Sequence, residues 1–109
     1  TRRSSDLPVL KKPSLIPKGR SDLRYELMRE EVEEYAFGVK NKDLENIAKE
    51  LADILYSTYG TILEHGLEDK MEKIFKEVHK SNMSKDYSKH KMIKGEKYFK
   101  PNLKKILDK

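Results

Sequence analysis

Residues 50–63 read ELADILYSTYGTIL. Leu51, Ala52, Ile54, Leu55, Tyr56, Tyr59, Ile62 and Leu63 cover more than half of a helical circumference there, and the only charges are Glu50 and Asp53. A spacing of three places both acids on one face of a helix, and Ser57, Gly60 and Thr61 continue that narrow polar strip. A helix this apolar is predicted to lie at the centre of a bundle. Asp43 is its expected cap and Gly66 its expected stop, so the helix should span residues 44–65.

Upstream, residues 21–37 carry a second helical pattern, with Ser21 or Asp22 as cap and Gly38 as stop. On a wheel of about 100° per residue, Glu34 falls between Leu23 and Leu27, and Glu31 between Leu27 and Tyr35. Downstream, Met71, Ile74, Phe75 and Val78 give residues 68–80 one apolar stripe. Pro101 should open a short last helix over residues 101–107. No segment alternates as a strand. The fold class is all-α, an antiparallel helix bundle. Pro8, Pro13, Pro17 and Gly19 make residues 1–20 an extended arm, with Leu7, Val9, Leu10, Leu15 and Ile16 available to strap it down. The helical domain is expected over residues 21–109.

The two helices read together as Glu30-Glu31-x-x-Glu34, fifteen residues, then Glu50-x-x-Asp53. One such pair of acids is uninformative. Two pairs, both set into apolar arcs, need an explanation, because buried carboxylates demand a partner. Residues 50–63 offer no lysine or arginine. A divalent cation would relieve the repulsion, and oxygen donors without Cys or His select Mg²⁺, with Mn²⁺ as the substitute, over Zn²⁺. The plainer alternative is a charged face without function. A di-iron centre would need Glu-x-x-His pairs, and His65, His79 and His90 do not supply them.

Composition agrees with a small helical protein that needs neighbours. The 109 residues are 36% apolar and 39% charged, with mean hydropathy −0.88. That is thin for a self-sufficient core, so oligomerisation, to a homodimer or homotetramer, is expected to complete the bundle. Cysteine is absent, which excludes disulfides and thiolate chemistry, and no apolar run approaches membrane length. A cytoplasmic location is the expectation. The net charge of +5 is unevenly spread. Residues 30–79 are acidic, whereas residues 1–29 and the lysine-rich segment 80–109 are basic. Carboxylates that hold a metal and lysines that meet an anion suit a metal-bound polyanion. Tyr87, Tyr98 and Phe99 among the lysines also allow a nucleic-acid binder. That reading leaves the buried acids unexplained, so nucleic acid is the weaker alternative.

The EExxE…ExxD pattern of Glu30-Glu31-Val32-Glu33-Glu34 and Glu50-Leu51-Ala52-Asp53 resembles the signature of the all-α nucleoside triphosphate pyrophosphohydrolases, the MazG-like enzymes. Leu23-Arg24-Tyr25-Glu26-Leu27, Tyr59-Gly60-Thr61, the stretch from Glu77 to Lys85, Lys94-Gly95 and Tyr98-Phe99-x-Pro101 are similar to the stand-alone, phosphoribosyl-ATP pyrophosphohydrolase-like branch. The resemblance implies hydrolysis of a nucleoside triphosphate between the α and β phosphates, with Glu31, Glu34, Glu50 and Asp53 as Mg²⁺ ligands. Glu30 would complete the metal shell or orient the attacking water. Lys80, Asn82 and Lys85 would contact the nucleotide. A nucleotide-pool-cleaning enzyme is the first reading; phosphoribosyl-ATP hydrolysis in histidine biosynthesis is the second.

Overall fold

The computed structural model describes residues 10, 12–88 and 91–109. In order, the elements are α1 (Lys18–Lys40), α2 (Leu44–Glu64), α3 (Met71–Met83), β1 (Asp86–Ser88), β2 (Lys91–Ile93) and α4 (Lys104–Leu107). They fall into two compact units, residues 1–67 and 68–109. The class is all-α, as the apolar periodicities require.

In the first unit, α1 and α2 form an antiparallel hairpin across Asn41, Lys42 and Asp43. α1 starts at Lys18, ahead of the expected Ser21. The Pro17 carbonyl accepts from the Arg20 and Ser21 amides at 2.9 and 3.1 Å, and Ser21 Oγ donates to the Lys18 carbonyl instead of capping. The helix also runs through Gly38, the expected stop. A Cβ at Gly38 would lie 3.3 Å from both Asn46 Nδ2 and Ile47 Cγ1, so this glycine serves the close approach of the two helices near their turn. The true stop is Lys42, at φ 54°, with Lys42 N donating to Val39 O and Asp43 N to Gly38 O. This is the paired closure of a left-handed C-cap, here built on lysine.

α2 begins and ends where its residues say it should. The Asp43 carboxylate accepts from the Asn46 amide at 3.1 Å. At the other end Gly66 adopts φ 67°, with its amide and that of Leu67 closing on Leu63 O and Ile62 O. A Cβ at Gly66 would run into the Lys12 carbonyl oxygen. The arm therefore crosses the C-terminal end of α2, where Ser14 N also donates to His65 O at 2.9 Å. Leu7 and Val9, two of the expected strap residues, lie outside the described residues.

The centre of the hairpin differs from the expectation for α2. Arg20 and Arg24 face Glu64, Met28 faces Thr58 and Thr61, and Glu31 faces Glu50 and Asp53. These facing pairs on the inner seam are polar, and near the turn Ile47 packs against Gly38. Among the described residues no apolar side chain is buried, whereas Arg24, Glu50, Glu64 and Ser81 are. Leu51, Leu55, Tyr56 and Tyr59 of α2 stand on the outside, Tyr56 with 77% of its surface exposed. The physical reason is that Arg20, Arg24 and Glu31 of α1 bring their charges to α2 at these positions.

In the second unit, α3 begins at Met71, three residues later than expected, and continues to Met83. The chain then folds back on it. Buried Ser81 donates its Oγ to the Phe99 carbonyl at 2.8 Å, Ser84 Oγ accepts from the Phe99 amide, and the Asn102 amide donates to Glu77. Lys85 and Lys94 place their ammonium groups 5.9 and 5.4 Å from the Tyr98 ring centre. β1 and β2 pair antiparallel, with Tyr87 opposite Met92, which corrects the expectation that no strand forms. Strands of three residues carry too little alternation to be read. α4 covers only Lys104–Leu107, so Pro101 lies ahead of it and not at its first position.

Candidate active site

Three of the four acids expected to bind metal converge. Glu31 of α1 and Glu50 and Asp53 of α2 each offer a carboxylate oxygen within 4.8 Å of the others. The cause is the hairpin register, which sets one turn of α1 opposite the ExxD turn of α2. Glu34, one turn further along α1, stands beside Glu50 and is exposed. Glu30 is exposed and outside the cluster. Lys80, Asn82 and Lys85 belong to the second unit, Lys80 and Asn82 on α3 and Lys85 just beyond it.

Glu50 forms the floor of the cluster, with only 3% of its surface exposed. Its Oε2 and that of Glu31 are buried and have no hydrogen-bond partner among the described residues. Burial pushes the Glu31 carboxyl up to about 7, helped by a proton shared with Glu50 and by the charges of Glu34 and Asp53. Glu34 is also raised, chiefly by sharing a proton with Glu50. Glu50 itself is held below the ordinary carboxylate range, by hydrogen bonds from Glu34 and then from Lys49. Below neutrality Glu31 therefore holds a proton that a cation would displace.

Lys49 corrects the reading of a basic partner as absent. Its Nζ lies 2.9 Å from Asp53 Oδ2 and 3.1 Å from Glu50 Oε1. Lys49 lies one residue ahead of the apolar stretch that begins at Glu50, and it stands four residues from Asp53 on the same helix. One ammonium still does not satisfy the set, since the two buried oxygens stay unpaired. The donor set is carboxylate oxygen, a kind of donor that a hard divalent cation accepts. Ser57 Oγ, on the same strip of α2, is likewise buried with no partner among the described residues. At the far end of the seam, Glu64 accepts from Arg20 Nη2 and Arg24 Nε, both at 2.6 Å. Arg20 and then Arg24 hold its carboxyl below the usual range. Only the charge of Arg20 and Arg24 upstream could have signalled that anchor.

A helical frame whose inner seam gathers carboxylates, two of whose oxygens are unpaired among the described residues, defines a class, the all-α proteins with an acidic cluster between paired helices. Within that class the chain belongs to the phosphoribosyl-ATP pyrophosphohydrolase family, whose model matches residues 5–82. The family lies in the MazG-like superfamily of nucleotide pyrophosphohydrolases, metal-dependent hydrolases of phosphorus-containing acid anhydrides. The match takes in α1, α2 and nearly all of α3, and with them Glu30, Glu31, Glu34, Glu50, Asp53, Lys80 and Asn82. Lys85 and the basic segment beyond it follow the matched span. No curated protein matches the chain. No helix among the described residues is long and apolar enough to cross a membrane.

Proposed function

We propose that this chain hydrolyses a nucleoside triphosphate between its α and β phosphates, in the manner of a nucleotide-pool-cleaning enzyme. Water adds to the α phosphorus, the bond to the bridging oxygen breaks, and nucleoside monophosphate and pyrophosphate leave. The observation that carries this reading is the pair of unpaired buried oxygens on Glu31 and Glu50, inside the span matched to the family.

In this reading Glu31, Glu34, Glu50 and Asp53 hold Mg²⁺, or Mn²⁺ in its place. When bound, the metal supplies positive charge against the phosphate oxygens and acidifies water. Glu30, exposed beside this set, orients the attacking water. Glu31, whose carboxyl lies near neutrality, gives up its proton as the site loads. Lys80 and Lys85 meet the phosphates as point charges, and Asn82 reads the nucleotide through its amide. The segment ahead of Lys18 serves as an arm, and the helices that follow it as the catalytic part. A second copy of the chain covers the apolar outside of α1 and α2.

The family's own substrate, phosphoribosyl-ATP, is the second reading, and the match over residues 5–82 favours it. Both substrates break the same bond. A panel of nucleoside triphosphates plus phosphoribosyl-ATP, assayed with Mg²⁺ for pyrophosphate release, separates them. Turnover of a triphosphate is expected, and Glu50→Gln should lower it at least about 100-fold, as loss of an essential electrostatic group does. Activity on phosphoribosyl-ATP alone would overturn the first reading; undiminished turnover by Glu50→Gln at saturating Mg²⁺ would overturn the site.

A further inference from the structure

Lys49 lies at the rim of the acid cluster and Glu50 at its floor. The lysine side chain keeps 65% of its surface exposed, while its Nζ reaches inward to Glu50 Oε1 at 3.1 Å and Asp53 Oδ2 at 2.9 Å. Those are two of the carboxylates that the proposed function gives to the metal. A divalent cation settling on them would meet a positive charge already bound to the same groups, and the two would repel. An ammonium on a flexible four-carbon stem leaves such a position at little cost when it is largely solvated.

It also has somewhere to go. Glu45 precedes Lys49 by one helical turn, as Asp53 follows it by one. Asp43, Glu45, Asn46 and Lys49 line one shallow cleft of about 340 Å³ at the start of α2. The same ammonium can therefore pair forward with Asp53 or backward with Glu45, both within i, i+4 reach.

We propose that Lys49 is a built-in counter-cation: it neutralises Glu50 and Asp53 while the site is metal-free, and swings back to Glu45 when a divalent cation enters. Lys49 thereby sets the cation concentration at which the site loads. This inference rests on the metal reading given above.

The test is Mn²⁺ binding without nucleotide, followed by calorimetry on the full chain at fixed pH and about 0.1 M salt. Lys49→Met keeps the stem and removes the charge, so Mn²⁺ should bind on the order of tenfold tighter once the repulsion is gone. Lys49→Arg keeps the charge and should stay near wild type. Glu45→Gln removes the alternative partner and should weaken Mn²⁺ binding about two- to threefold, in keeping with a partly exposed pair. In the Lys49→Met background the same change should have no effect. Lys49→Gln serves in place of Lys49→Met if far-UV circular dichroism shows that the latter does not fold. Equal or weaker Mn²⁺ binding by the neutral variant, beside normal binding by wild type, overturns the role of Lys49 and leaves the metal reading standing. An equal effect of Glu45→Gln in both backgrounds overturns the swing. No Mn²⁺ binding by any variant overturns the metal reading and this inference with it.

Discussion

Glu31 and Glu64 sit on one seam and titrate in opposite senses. Glu31 is lifted from 4.5 to about 7 by burial and its acidic neighbours. A group raised in the folded chain stabilises it fully below the unfolded value and loses that contribution as pH climbs through the folded one. The metal-free chain should therefore lose melting temperature between about pH 4.5 and 7, and Glu31→Gln should remove most of that slope. Over the same window Mn²⁺ should displace a proton, so its affinity should rise with pH and level off above about 7. Melts in chelator, and calorimetry in buffers of different ionisation heat, measure both; flat profiles would contradict the coupling. Glu64, depressed by Arg20 and Arg24, works the other way. Its contribution is present above 4.5 and is lost as pH falls through its lowered value.

At the level of elements, the two helix stops make a matched pair. Gly66 suits its φ of 67° and leaves room for the Lys12 carbonyl, whereas Lys42 holds φ 54° with a side chain that the left-handed region penalises. Lys42→Gly should raise stability by about 0.5–1 kcal/mol. Gly66→Ala should lower it by about 2 kcal/mol or more, since strain and a clash add. Denaturant midpoints of the two variants should move in opposite directions; a shared direction would show that the caps do not govern the hairpin. The same comparison explains what could be read beforehand. Asp43 and Gly66 act through their own chemistry, so α2 was legible from end to end. Gly38 acts through a neighbouring helix, and Pro17 caps with a carbonyl any residue carries, so the ends of α1 were not. Glu31, Glu50 and Asp53 were legible because acids stand out against apolar residues. Lys49, Ser57 and the Arg20–Arg24–Glu64 anchor look like ordinary surface residues until the helices are paired.

For the whole molecule, the distribution of polarity decides what the chain needs. Leu51, Leu55, Tyr56, Tyr59 and Leu63 on α2, and Tyr25, Val32 and Phe37 on α1, are exposed while the seam between the helices is polar. Contiguous apolar faces of this kind mark a site of association. Sedimentation of the wild-type chain at micromolar concentration should show a mass above the 12.8 kDa of one copy, and Leu55→Glu should shift it toward that value. A wild-type chain that sediments as a folded single copy would refute this. The absence of any buried apolar side chain among the described residues also bears on calorimetry. Heat capacity rises on unfolding because apolar surface meets water, and polar surface works against it. A lone hairpin of this build would melt with a small heat-capacity increment and a shallow dependence of stability on temperature. The larger increment would belong to association, which draws on apolar burial and weakens in the cold.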